Sequence, residues 1–138
     1  MKSLRTLLKL ARRDLETLRR ALADQIARLN GVEARMRGHE QTIQQEQQLA
    51  AQDYQSASAY GGYALRAIAG RKALQSERDM VLAEMERLRV LITEAHTESR
   101  KFERLIELEE AREKAKREKR ENDELDEFAT MRAARTPG

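Results

Sequence analysis

Apolar residues recur at alternating steps of four and three along two long stretches of the chain. The first stripe runs through Leu4, Leu8, Ala11, Leu15, Leu18 and Leu22, then Leu29, Val32, Met36, Ile43 and Ala50. The second runs through Leu74, Val81, Met85, Leu88, Ile92, Ala95, Phe102 and Ile106. A stripe repeating every 3.5 residues buries itself only against another helix, so the pattern predicts a coiled coil. With Leu8 at heptad position a, the d positions are Ala11, Leu18, Gln25, Val32, His39 and Glu46. The seam is therefore apolar as far as Val32 and more polar beyond it. A chain folded this way has no interior pocket and acts through its surfaces.

Between the stripes stands Tyr60-Gly61-Gly62-Tyr63. Adjacent glycines supply the positive φ of a tight reversal, and a short connection makes two helices antiparallel neighbours. The expected fold is all-α, a single antiparallel two-helix coiled-coil hairpin over residues 1–138. Its expected layout is a helix over about 3–58, a turn at about 59–63, a helix over about 64–124 or beyond, and an amphipathic tail at 125–135. Gly31 and Gly38 fall inside the first helix, where each costs about 1 kcal/mol relative to Ala.

A fold at 61–62 pairs residue i with roughly 123 minus i. Leu18 and Leu22 then meet the end of the second stripe. Leu4, Leu8 and Ala11 instead meet a stretch, Glu109 to Glu124, that holds six basic and seven acidic residues. Either Lys and Arg stems cover these leucines, or this end docks into another protein. The same pairing sets residue 84 opposite His39, which reads as a polar residue fixing register within the seam.

Composition narrows the function. Charged residues make up 37% and aromatic residues 4%, which suits a narrow seam and not a thick globular core. The absence of Cys removes disulfides and thiolate metal sites and fits a reducing compartment. No apolar run reaches the roughly 20 residues of a membrane span, and Lys9, Arg12 and Arg13 interrupt any signal-peptide core. A cytoplasmic location follows as the expectation. The net charge is only +3, which argues against a dedicated nucleic-acid binder, although Lys2 to Arg20 holds seven basic residues against two acidic ones.

Chemistry finds no foothold in the sequence. His39 and His96 are the only histidines and lie far apart. No phosphate loop, metal-ligand spacing or activated nucleophile is present. The expectation is a protein with no catalytic, metal or cofactor residues. Tyr54, Tyr60 and Tyr63 cluster near the glycines as the only tyrosines. They either cap the end of the coil or form a partner surface, for which Tyr is well suited. At the other extreme, Leu125, Phe128, Ala129 and Arg132 share one helix face, with Asp126 and Glu127 directed elsewhere.

The run Leu125-Asp126-Glu127-Phe128-Ala129, followed by Arg132 and Arg135, resembles the tail of the FliJ family of the bacterial flagellar type III export apparatus. That family ends in a charged helix, an apolar-Asp-Glu-apolar-Ala run and a basic tail. Length, the lack of Cys and the Leu- and Arg-rich start agree with it across the chain. The resemblance implies a hairpin similar to the gamma-subunit stalk of rotary ATPases, non-enzymatic and without cofactors. It implies three partners: the hexameric export ATPase, the export gate membrane protein and the export chaperones. It also implies a monomer when alone, cytoplasmic and held at the inner membrane through its partners at the flagellar base. By this resemblance Leu4, Arg5, Leu8, Lys9, Arg12, Arg13, Leu125, Asp126, Glu127 and Phe128 are the expected ATPase-binding residues. Tyr54, Tyr60 and Tyr63 are the expected gate or chaperone surface. The rival readings are a nucleic-acid-binding coiled coil using Arg12, Arg13, Arg19 and Arg20, and a generic dimerising scaffold.

Overall fold

The computed structural model describes residues 2–52 and 54–135, with the side chains of Tyr54 and Ser56 outside the description. Two α-helices account for all of it: α1 over Lys2–Gln52 and α2 over Tyr54–Arg135. They pack antiparallel as a helical hairpin, as the ion pairs between them require: Glu33 with Arg78, Arg35 with Glu77, and Glu40 with Arg71.

The reversal is not at the glycines. Gly61 and Gly62 lie within α2, and neither has a positive φ. Two glycines cost a helix about 2 kcal/mol in propensity. The a/d pattern nevertheless continues through them: Tyr60, Tyr63 and Ala64 are half-buried and Ala67 is buried. Tertiary packing of that stripe outweighs propensity, as is usual for helices in proteins. α1 ends at Gln52, six residues short of the expected 58, and α2 is described from Tyr54 onward.

That shift resets the pairing of the arms. The chain divides into two compact units, residues 1–14 with 95–138 and residues 15–94. In the 15–94 unit the cross-helix pairs place residue i opposite about 111 or 112 minus i. In the other unit, Arg5 with Glu110 and Arg12 with Glu103 place it opposite 115 minus i. The expected 123 is wrong because the glycines are not the turn.

Within the 15–94 unit the core consists of Leu15, Val32 and Ile43 from α1 with Ala67, Val81, Met85 and Leu88 from α2, all buried. Val32 is the most enclosed at 2% exposure. Burying each large aliphatic side chain contributes about 1.5–3 kcal/mol. The polar d positions Gln25, His39 and Glu46 are half-buried, as the heptad assignment requires. His39 faces Ala67 and Gly70, not residue 84. Its Nε2 lies 2.9 Å from the Ala67 carbonyl oxygen, which can only accept, so Nε2 carries the proton. A Cβ on Gly70 would sit 3.0 Å from His39 Cε1. Gly70 thus leaves the space in which the imidazole crosses the seam.

In the other unit Leu8 is buried at 8% exposure, with Leu4, Ala11, Phe102 and Ile106 half-buried around the same seam. Ser99 is buried at 4%, and its hydroxyl is the one buried side-chain polar atom without a hydrogen-bond partner among the described residues.

Two stability predictions follow. Ser99→Ala removes an unsatisfied buried hydroxyl and is expected to raise stability by about 1 kcal/mol in thermal unfolding; a loss of stability would show that the hydroxyl is satisfied in solution. Gly70→Ala is expected to add about 1 kcal/mol only in a His39→Ala background. With His39 present that gain should vanish or reverse, and an equal gain in both backgrounds would contradict the packing of the imidazole against Gly70.

Candidate functional site

In the unit of residues 1–14 and 95–138, heptad letters sort the surface. Continuing the frame of α1, Leu4 and Ala11 are d, Arg5 and Arg12 are e, and Leu7 is g. On α2, Phe102 and Glu109 take d, Ile106 takes a, Glu103 and Glu110 take e, and Leu105 takes g. In an antiparallel pair e faces e and g faces g. The e flank is closed by charge: Arg5 Nη2 donates to Glu110 Oε1 at 3.3 Å and Arg12 Nη2 to Glu103 Oε1 at 3.2 Å. Glu103 also lies 3.4 Å from Arg100 Nη1.

These positions alter the reading of the amino-terminal candidates. Leu8 is in the seam, and Arg5 and Arg12 hold the seam shut from the side. Leu4 is half-buried, while Lys9 and Arg13 are exposed. The start of α1 around Leu8 and Ala11 therefore shares its seam with Phe102 and Ile106 of α2. The apolar segment without cover is elsewhere.

That segment is the end of α2. Every described residue from Ala111 to Arg135 is exposed, and the helix continues through Arg135. Leu125 is 64% exposed, Phe128 63% and Met131 56%. Thr130 donates its hydroxyl to the Asp126 carbonyl within the same helix. Asp126 and Glu127 are exposed beside the apolar stripe. The tail does not fold back on Leu4 and Leu8. It is a preformed amphipathic helix, so an apolar partner would bind it without first ordering it.

The aromatic candidates belong to the 15–94 unit. The Tyr60 and Tyr63 rings lie 6.0 Å apart at 38°, both half-buried on the first turns of α2. The Tyr54 side chain lies outside the described residues. Tyr60 and Tyr63 thus pack on one another and also present part of their surface.

A concavity lined by Gln25, Arg28, Gly31, Val32, Arg35 and Glu77 is an open groove along the seam. No cluster of His, Asp and Glu that could hold a metal occurs among the described residues. No described helix is long and apolar enough to cross a membrane. Signals for the missed core residues Ala67 and Ser99 were weak, because neither side chain is strongly apolar.

The electrostatics of the flanks set an acid response. The Arg71 guanidinium forks onto Glu40, with Nε–Oε1 at 2.6 Å and Nη2–Oε2 at 2.9 Å, and holds that carboxyl below the usual glutamate range. Hydrogen bonding from Arg12, together with the charge of Arg100, does the same for Glu103. A carboxyl whose folded pKa is depressed adds stability above its unfolded pKa and loses it as pH falls through the folded value. Melting temperature is therefore expected to hold from neutral pH down to the ordinary glutamate range and to fall below it. Glu40→Gln with Glu103→Gln should flatten that acid limb, and an unchanged limb would show that these pairs carry none of it.

Compared with known proteins, the whole chain, residues 1–138, matches the family model described as the flagellar FliJ protein. No curated protein and no solved structure matches it.

Proposed function

The chain belongs to the flagellar FliJ family and is a component of the flagellar export apparatus; within it, we propose, the chain is a non-enzymatic stalk for the export ATPase. The observation that carries this reading is the uncovered amphipathic end of α2, with Leu125, Phe128 and Met131 all more than half exposed on an already formed helix. Such a segment is suited to enter an apolar collar of a hexameric ring, with Arg132 and Arg135 meeting carbonyls or carboxylates there. Asp126 and Glu127 border the stripe and orient it. Lys9 and Arg13 on α1 add exposed positive charge in the same unit. Leu4, Leu8, Arg5 and Arg12 serve the site indirectly, by holding α1 to α2 below the tail.

The mechanism is differential binding. An asymmetric helix end within a six-fold ring contacts the subunits unequally, and each contact pattern favours a different nucleotide state. Ring assembly follows from the same contact, because a ligand that binds the assembled ring better than free subunits shifts the equilibrium toward assembly. In the 15–94 unit, the Tyr60–Tyr63 pair, with Tyr54 beside it in sequence, is the proposed surface for the export gate and for chaperones. These partners would hold the protein at the inner membrane on its cytoplasmic side.

The test is a pull-down with the export ATPase, with ATPase rate measured in the presence and absence of this protein. Binding and stimulation are expected at micromolar concentration. Leu125→Ala with Phe128→Ala is expected to weaken binding at least about tenfold, the worth of two buried anchors, with helicity by circular dichroism unchanged. Absence of binding by the wild type, or full stimulation by the variant, contradicts the reading.

A further inference from the structure

The carboxy-terminal overhang carries a stripe of its own. Counted in the frame that sets Ile106 at a, Leu125 falls at f and Phe128 at b, so neither continues the a/d seam of the hairpin. Steps of three and four from these two residues pick out Glu118, Glu121, Leu125, Phe128, Arg132 and Arg135. All six are exposed on one continuous helix. Repeating every 3.5 residues, they have the spacing of a second coiled-coil seam with its apolar pair at the centre. The two ends of this stripe differ in sign, with glutamate before the centre and arginine after it.

We infer that the stripe pairs with the same stripe of a second copy of the chain, antiparallel about a two-fold axis. Charge order selects the occupant. Pairing residue i with 253 minus i sets Leu125 against Phe128, Glu121 against Arg132 and Glu118 against Arg135, and the two-fold makes each contact twice. A parallel pair would set Glu121 on Glu121 and Arg132 on Arg132, which like-charge repulsion opposes. The flanks of the antiparallel pair hold no such conflict, because Glu124 comes beside Met131 and Asn122 beside Ala129. Arg132 has a contact within its own chain. An exposed contact of that kind is worth little and is readily exchanged, and Glu118 with Arg135 repeats the same complementarity.

The shape of the unit allows the contact. Its 115-minus-i pairing starts α1 opposite residue 113, ahead of the stripe, so α1 does not cover it. Glu118 to Arg135 is roughly 26 Å long at 1.5 Å per residue, and the second copy's residues before 118 fall past the end of that overlap. An isologous contact also closes on itself and builds no filament. Four apolar anchors make a small core, which suits a weak and reversible dimer. The dimer does not rest on the ATPase reading and is measured without the ATPase. It hides Leu125 and Phe128, so a dimer and a ring-bound form that uses them exclude one another.

Sedimentation equilibrium of the full chain is expected to show monomer and dimer with a dissociation constant on the order of 100 µM. Glu121→Arg and, separately, Arg132→Glu should each weaken the dimer at least about tenfold, because like charges then face each other twice. The protein carrying both substitutions should dimerise like wild type, and so should an equimolar mixture of the two single variants. The stripe lies beyond the hairpin seam, so circular dichroism should be the same for all. Orientation is read with one spin label per chain, at Lys119→Cys or at Asp126→Cys, in a protein with no cysteine of its own. The antiparallel pair sets residue 126 level with 127 of the second copy but 119 level with 134, roughly 22 Å along the axis from its counterpart. The distance between labels should therefore be clearly longer at 119 than at 126. A wild type that stays monomeric at about 1 mM, single variants that dimerise as well as wild type, a double variant that does not recover, or equal distances at the two sites would overturn the assignment.

Discussion

Everything in this molecule depends on how the two stripes are set against each other. An isolated helix with so few large apolar residues gains little from its own backbone, and most of its stability must come from packing. The seam has apolar side chains at many a and d positions, but a hairpin uses only those that its reversal brings level. With the reversal ahead of Gly61-Gly62, the observed pairing differs from the expected one by 8 to 12 residues. That slide decides which leucines are buried, which glutamates meet which arginines, and which end of which helix is left uncovered.

The heptad phase was fully legible in the sequence. Every a and d position named for α1 from Leu4 to Ala50 is buried or half-buried, including the polar Gln25, His39 and Glu46. Periodicity constrains phase strongly, because one residue of slippage turns a helix by about 100° and takes the stripe off the seam. It says nothing about where the chain reverses. The double glycine was the strongest local signal for a break, yet Ala64 and Ala67 continue the stripe next to it and keep the helix intact.

The error in the turn carried into the site. The expected pairing leaves Leu4 and Leu8 without an apolar partner. With the observed pairing, Leu8 is buried, Arg5 and Arg12 brace the seam against Glu110 and Glu103, and the overhang passes to α2. The tail itself was legible, since Leu125 and Phe128 stand out after a fully charged stretch. Gly70 was not: a glycine with no turn to make is explained by the imidazole of His39, 31 residues away in sequence.

The measurement that tests this account most directly is a pair of spin–spin distances in the unit of residues 1–14 and 95–138. Labels go on cysteines introduced at Thr6 and Ala111 in one protein and at Thr6 and Lys119 in another, in a chain that has no cysteine of its own. The observed pairing sets residue 6 opposite 109, so the distance to 111 is expected to be shorter, and that to 119 longer by roughly 10 Å, from eight residues of helix rise. If 119 proves the nearer site, the arms pair as a turn at Gly61-Gly62 would place them, and the buried start of α1 and the uncovered end of α2 are both wrong.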